Sequence, residues 1–164
     1  MKATIEYINF LKKSLQDTNV KAFLNVIRKC EGTDAKDGYS YLFGSNPRNK
    51  RRFTDFSKHP KLSFPFGKTT SSAAGAYQIM GYTYDDLVEK LEITDFSPES
   101  QDLMACERIS YRNCLQKLID GKFEEVINRC NKEWASLPNS PYGQPTKTMQ
   151  FCKDLYIKFG GKVK

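Results

Sequence analysis

The sequence is poor in the residues that most often mark a metal site or a catalytic triad. It has one histidine, one tryptophan and five cysteines, and no C-x-x-C pair occurs among the cysteines. An odd cysteine count with wide spacing argues against a zinc site and against a disulfide framework, so we expect reduced core thiols. His59 precedes Pro60 without a Ser or Cys nucleophile motif beside it. This context argues against a catalytic triad and predicts a structural histidine.

Long apolar runs are also missing. No run approaches the roughly 20 residues that cross a bilayer, and charged residues (Lys2, Glu6, Lys12, Lys13) interrupt the N-terminal segment. A secretory signal needs an uninterrupted apolar region, so the sequence argues against one. We therefore expect neither membrane insertion nor signal-directed export.

Positive charge is in excess. The 164 residues carry 26 Lys and Arg against 19 Asp and Glu, a net charge of +7. This balance favours a polyanionic partner, and nucleic acid, acidic lipid and bacterial cell wall satisfy it equally. The basic run 47–52 is short and has no helical period, which is typical of a solvated loop tip. The length and the 39% hydrophobic content predict one domain, residues 1–164.

Helical periodicity covers most of the chain. It predicts a short N-terminal helix ending near Leu15 and a second helix from Val20 to Glu31, preceded by a cap within 17–19. The segment 38–66 instead mixes aromatic residues with Gly and Pro, which predicts a β-hairpin or three-stranded region. Beyond it we expect helices at 84–91, at 98–119 as one long element, at 123–130 and at 149–159. The chain is thus predicted to be α+β and mainly helical.

Glu31 is an acidic residue in an unusual place. It ends an apolar helix, and Gly32 follows it with the conformational freedom that closes a helix. A carboxylate at the negative end of the helix dipole disfavours its own ionisation, which suits a general acid working near neutral pH. An exposed Glu on a frayed helix end is the alternative interpretation of this stretch alone.

Five segments in order resemble the endolysin family of bacteriophage lambda, and the similarity runs from about Val20 to Gly161. They are Cys30-Glu31-Gly32-Thr33-Asp34, Phe53-Thr54-Asp55-Phe56-Ser57-Lys58-His59-Pro60, Ser72-Ala73-Ala74-Gly75-Ala76-Tyr77-Gln78, Asp95-Phe96-Ser97-Pro98-Glu99-Ser100-Gln101-Asp102, and Trp134-Ala135-Ser136-Leu137-Pro138 with Tyr142-Gly143-Gln144. The resemblance implies a lysozyme-like fold with a substrate cleft and lytic transglycosylase activity on peptidoglycan. Residues 1–19 and the basic loop 46–52 depart from the family pattern.

The same resemblance implies the site residues. The single catalytic glutamate of the family corresponds to Glu31, and we expect no cofactor and no metal. The residues expected to line the cleft and bind glycan are Tyr39, Ser72, Tyr77, Gln78, Tyr142 and Gln144. Asp34 is expected to orient the loop after Glu31 through bonds from its side chain to the backbone.

Two other functions remain open from the sequence. One is a hydrolytic muramidase that uses Asp34, Asp37 or Asp55 as a second carboxylate. The other is a basic binding module without catalysis. The family resemblance also implies a monomer that acts on peptidoglycan glycan strands, not on nucleic acid. It implies residence in the host cytoplasm until lysis.

Overall fold

The computed structural model describes residues 1–164 as a mainly helical protein with one small sheet. The helices are α1 (Ile5–Ser14), α2 (Thr18–Glu31), α3 (Gly81–Leu91), α4 (Pro98–Tyr111), α5 (Leu115–Ile119), α6 (Phe123–Cys130) and α7 (Met149–Lys158). Strands β1 (Phe64–Phe66) and β2 (Thr69–Ser71) form an antiparallel hairpin. None of the helices combines the length and the apolar character needed to span a bilayer.

Helix α2 lies at the centre of the fold. Asp17 caps it by accepting hydrogen bonds from the backbone amides of Asn19 and Val20 at 2.8 and 3.2 Å. Its apolar face is buried against α4, α5 and α7, in a hydrophobic core of 35 buried residues. The predicted helix and its predicted cap are confirmed, because spacing and capping chemistry agree along this segment.

Helix α1 packs against α4 as part of the folded body. Ile8 and Leu11 are buried in the core, and the Tyr7 hydroxyl donates to Ser110 Oγ at 2.8 Å. The backbone amide of Ala3 donates to the Lys90 carbonyl at 2.8 Å. The N-terminal segment is therefore held by both apolar burial and hydrogen bonds.

One predicted helix and the extent of the predicted β-region differ from the structure. The long helix is broken between α4 and α5, where Asn113 has a left-handed φ of 56° that an α-helix cannot contain. The predicted β-hairpin is confirmed over the three-stranded alternative, but its two strands lie at 64–71, at the end of the predicted region. Most of 38–63 is irregular and joins the sheet region only through single bridges, such as Tyr41 with Arg52 and Leu42 with Ala74.

His59 has the predicted structural role. Its side chain is buried, Nε2 donates to the Ile79 carbonyl at 2.7 Å, and Nδ1 accepts from the Lys61 amide at 3.0 Å. The ring also packs against Tyr84 and Phe96. With both nitrogens occupied, His59 joins the 59–61 turn to the segment that leads into α3.

Candidate active site

Glu31 is the last residue of α2, as its sequence context predicts. Gly32 follows with φ of 75°, and its amide donates to the Lys29 carbonyl at 3.2 Å. The Thr33 amide donates a hydrogen bond to the Arg28 carbonyl at 2.9 Å, so the final helical turn closes tightly. The carboxylate is thereby held by a rigid helix end.

The Glu31 carboxyl group lies in a partly buried position beside the 134–138 segment. The Ser136 hydroxyl donates to Oε1 at 3.1 Å. Burial raises the pKa of Glu31 to about 7, and the hydrogen bond from Ser136 opposes that shift only in part. A carboxyl group with this pKa is populated in both protonation states at neutral pH, so it can donate a proton and then accept one.

The turn after Glu31 is organised by Arg28 and Thr33. The Arg28 guanidinium donates to the Thr33 carbonyl through Nη2 at 2.9 Å and to the Ala35 carbonyl at 2.9 Å. The buried Thr33 hydroxyl donates to the Ala76 carbonyl, which ties the turn to the 72–78 segment. Asp34 has a different role from the one predicted, because its exposed side chain pairs with Lys29 at 3.2 Å.

The 72–78 segment is fixed by buried polar groups. Gln101 Oε1 accepts the Ala76 amide at 2.8 Å, and Ser72 Oγ accepts the Gly81 amide at 3.0 Å. Gln78 has a left-handed φ of 50°, and its side-chain amide donates to the Gly75 carbonyl at 2.9 Å. Ser72 and Gln78 therefore have partners within the protein, and their contacts with glycan remain a prediction.

Tyr39 and Tyr77 meet at Asp102. Their hydroxyls donate to the same oxygen, Oδ1, at 2.8 and 2.6 Å, and the rings pack edge to face. Both tyrosines line a cavity of about 740 Å³ between α1, α2 and α4, and Glu31 is not among its lining residues. The structure thus brings these two predicted residues together, but around Asp102 and not around the Glu31 carboxylate.

The 141–148 segment is exposed and carries the last two predicted residues. The Tyr142 hydroxyl donates to the Lys132 carbonyl at 2.8 Å, while the Gln144 side chain makes no hydrogen bond within the protein. Lys132, Gln78 and Trp134 line a second cavity of about 280 Å³. Trp134 Nε1 donates to the Tyr77 carbonyl at 3.0 Å, so this indole joins the 72–78 segment to the segment that contains Ser136.

No second carboxylate contributes to the shifted pKa of Glu31, whose causes are burial and Ser136. The three aspartates considered for a hydrolytic role have other partners. Asp34 pairs with Lys29, Asp37 pairs with Arg52 at 2.8 Å, and Asp55 accepts from the Ser57 amide at 2.9 Å. No cluster of three His, Cys, Asp or Glu side chains is arranged to hold a metal ion.

Comparison with known proteins then defines the family. The endolysin family model matches residues 21–163 of the chain. The chain belongs to the endolysin family. The endolysin of Escherichia phage lambda is 38% identical over 151 residues, covering 88% of this chain and 92% of that protein. The endolysin of Escherichia phage P2 is 31% identical over 157 residues, covering 87% and 93%.

Solved structures agree with the family assignment. Bacteriophage lambda lysozyme complexed with a chitohexasaccharide matches with a TM-score of 0.81 and 34% identity, over 90% of this chain and 97% of that chain. A second structure of lysozyme from bacteriophage lambda matches with a TM-score of 0.76 over the same fractions. The fold is therefore lysozyme-like, and this member of the endolysin family is an enzyme that acts on peptidoglycan.

Ser136 is the site residue that sequence reasoning did not identify. It lies in one of the five family-like segments, but its hydroxyl meets Glu31 across 105 positions of the chain. No local pattern reports such a contact. The only available signal was that a small hydroxyl residue lay inside a segment shared with the endolysin family.

Proposed function

We propose that the chain is a lytic transglycosylase that cleaves the β-1,4 bond between N-acetylmuramic acid and N-acetylglucosamine in peptidoglycan. Glu31 serves first as the acid and then as the base. The observation that carries this proposal is a single carboxyl group with a pKa of about 7, to which no other carboxylate contributes. A hydrolase of the usual kind needs two carboxylates.

In the first step Glu31 is protonated and gives its proton to the glycosidic oxygen as the bond breaks. The N-acetyl group of the substrate stabilises the positive charge that develops on the sugar. Glu31, now ionised, takes the proton of the muramoyl 6-hydroxyl, whose oxygen attacks the anomeric carbon and closes a 1,6-anhydro ring. The nucleophile belongs to the substrate, so proximity supplies what a second carboxylate supplies in a hydrolase.

The hydrogen bond from Ser136 suits a carboxyl group that is ionised between the two proton transfers. A hydroxyl donor stabilises the ionised carboxylate that exists between the two proton transfers. Burial acts in the opposite direction and keeps a protonated population at the start. The balance of the two effects sets a pKa near the operating pH, where a group that must both give and take a proton works best.

In the proposal, Gln78, Tyr142 and Gln144 bind the glycan directly. Ser72, Tyr39 and Tyr77 help to hold the cleft segments in position. The lambda lysozyme complexed with a chitohexasaccharide supports a glycan strand as the ligand of this fold. Gln144 is exposed without a protein partner, so its amide is free for sugar hydroxyl or N-acetyl groups. The net charge of +7 favours adhesion to anionic wall material.

The proposal includes the place of action. The protein is a monomer that remains in the host cytoplasm until it reaches the wall at lysis, as membership of the endolysin family supports. A single folded domain spanning 1–164 is proposed as the active unit.

Analysis of the reaction products tests the mechanism. We expect purified peptidoglycan digested by this protein to yield fragments that end in 1,6-anhydro-N-acetylmuramic acid. Mass spectrometry distinguishes them from hydrolytic products, which are heavier by one water molecule. Reducing ends carrying that added water would instead establish a hydrolytic muramidase, and no release of fragments would favour a binding module.

A second prediction concerns Ser136→Ala. Loss of the hydroxyl donor removes the interaction that lowers the pKa of Glu31, so that pKa rises above its wild-type value of about 7. The alkaline limb of the kcat/KM profile should move to higher pH by roughly one unit, since a hydrogen bond to a charged group contributes about 1.5 kcal/mol or more. Turnover measured across pH 5–9 (about two units either side of the pKa) reports this shift.

Ser140→Ala is the matched control, because it is the same substitution in the same connection. The Ser140 hydroxyl is buried without a hydrogen-bond partner, so its removal should leave the pH profile in place. A Ser136→Ala profile identical to wild type would contradict the assigned role of Ser136. A shift to lower pH would contradict the role of protonated Glu31.

A further inference from the structure

Two cysteines, Cys30 and Cys152, are in contact next to Glu31. Cys30 is the penultimate residue of α2, and Cys152 lies in the first half of α7. Their sulfur atoms are 3.6 Å apart and share a hydrogen bond. All five cysteines are free thiols, as the sequence predicts, but this contact between two of them is not visible in the sequence, because 122 positions separate them.

The geometry of the pair suits covalent joining. A disulfide has an S–S distance of about 2.05 Å, so closing the gap from 3.6 Å requires the two sulfurs to approach by roughly 1.6 Å in total. Helices α2 and α7 are already packed against each other, so the backbones are held in place during this approach.

The surroundings of the pair favour reaction. The pKa of Cys152 is lowered, chiefly by the hydrogen bond from the Cys30 thiol, and the positive charge of Lys147 adds to that effect against burial. Thiolate is the form that attacks a disulfide. Lys147 belongs to the exposed segment 141–148, which is held to Ser136 by the Lys147 amide. The charge of Lys147 acts on both thiols, which brings this exposed segment close to the pair.

We propose that Cys30 and Cys152 are a disulfide-forming site, oxidised by thiol–disulfide exchange with a disulfide reagent of the compartment into which the protein is released. The Cys152 thiolate attacks one sulfur of the oxidant, forms a mixed disulfide and expels the other sulfur as a thiolate. Cys30 then loses its proton and attacks the Cys152 sulfur, expelling the second oxidant sulfur. The two protein thiols give up two protons and two electrons, and the oxidant disulfide becomes two thiols.

The chemistry of the pair is independent of Glu31, whereas its timing rests on the proposed release at lysis. A reducing cytoplasm keeps both thiols free while the protein accumulates. After release, the bond would join the end of α2, one residue before Glu31, to α7. Because the bond closes a loop of more than a hundred residues, it should restrict the unfolded chain strongly.

The other cysteines provide the comparison. Cys114 and Cys130 lie near each other, but the Cys114 thiol donates to the Arg112 carbonyl at 3.3 Å. Cys106 is fully buried on α4, and its thiol faces the Leu11 carbonyl at 3.7 Å with no second thiol beside it. The pKa of Cys114 is also lowered by a hydrogen bond from Cys130, so this second pair is the competing site of oxidation. The pair formed by Cys30 and Cys152 differs because neither of its thiols has a carbonyl acceptor and because the charge of Lys147 acts on both.

The test uses the purified full chain, reduced and then incubated with oxidised glutathione. We expect the intact mass to fall by two hydrogen atoms and non-reducing peptide mapping to join the peptides of Cys30 and Cys152. The melting temperature of the oxidised form should exceed that of the reduced form by about 5–15 °C. Cys106→Ser should behave like the wild type, whereas Cys152→Ser and Cys152→Ala should lose both changes.

Three results would overturn the proposal. They are a protein that keeps all its thiols, one that carries only bound glutathione, and one joined through any other cysteine pair. None of the readouts depends on peptidoglycan cleavage. A failure of the Glu31 mechanism would therefore leave this test intact, and a failure of this test would leave the mechanism intact.

Discussion

Glu31→Gln is expected to abolish the lytic activity while the protein remains folded. The amide keeps the shape of the side chain and still accepts the hydrogen bond from Ser136, but it cannot give or take a proton. An acid–base group of this kind raises the reaction rate about 10²- to 10⁴-fold. Because one residue serves in both steps here, we expect the rate to fall by about a thousandfold or more. The measurement is clearing of outer-membrane-permeabilised bacteria, with fragment release from purified peptidoglycan as a second assay.

The same variant should change the pH dependence of stability. The pKa of Glu31 is about 7 in the folded protein against an ordinary value of 4.5, so the unfolded chain ionises first as pH rises. Wild-type stability attributable to this group is full below pH 4.5 and declines as pH rises to about 7, by at most about 3 kcal/mol. Glu31→Gln should lack this decline. In urea unfolding, its stability relative to wild type should therefore be higher at pH 8 than at pH 4.

Two controls accompany the Glu31 variant. Glu6→Gln makes the same change on the exposed surface of α1 and should retain activity. Asp34→Asn breaks only the exposed pair with Lys29 and should also retain activity, since Asp34 has no part in the proposed chemistry. Clearing by Glu31→Gln at wild-type rates would remove Glu31 from catalysis. Loss of activity in Asp34→Asn would favour a two-carboxylate hydrolase.

The helical part of the fold was largely predictable from the sequence, because its signals are local. Helix α2 combines an apolar stripe, a capping Asp17 and a closing Gly32, and each was confirmed where it was expected. Ser97 and Pro98 likewise mark the start of α4. Such features depend on residues three or four positions apart, which periodicity and capping chemistry report directly.

The prediction of one long helix over 98–119 was wrong, and the spacing of the apolar residues already indicated a break. Ile109 and Leu115 are six positions apart, which is not a helical repeat, and the apolar stripe changes phase between them. The structure places the left-handed Asn113 at that point. Asn adopts this conformation more readily than most residues, but its identity alone does not reveal where it does so.

The β-region and the site surroundings depend on contacts that are distant in sequence. Of the aromatic residues in 38–66, Phe64 and Phe66 lie in the paired strand β1, whereas the others pack through isolated bridges and ring contacts. Glu31 was predictable because its peculiarity is local. Ser136, which tunes its pKa, comes from the turn-rich connection between α6 and α7, and Asp102, which holds Tyr39 and Tyr77, comes from α4. Only the folded chain brings such groups together.

Gly38→Ala is expected to be the most destabilising single methyl addition near the site. A Cβ at this position would lie 1.8 Å from the Thr33 carbonyl oxygen and 2.8 Å from its carbonyl carbon. The carbonyl cannot withdraw, because the Arg28 guanidinium holds it with two hydrogen bonds, from Nε at 3.2 Å and from Nη2 at 2.9 Å. We expect a loss of about 3 kcal/mol or more in the free energy of unfolding, measured by urea titration.

The structural change caused by Gly38→Ala should extend to the surroundings of Glu31. The alanine must push the turn 33–38 away from α2, and that turn is joined to the 72–78 segment by Thr33. Activity per folded molecule should therefore fall together with stability. Gly67→Ala is the control, since its φ of 59° adds backbone strain but nothing lies within 4 Å of the new methyl group. Its expected cost is about 1 kcal/mol with activity retained. Gly38 has no left-handed φ of its own, so a loss in Gly38→Ala no larger than that in Gly67→Ala would show that contact with Thr33 does not require glycine at position 38.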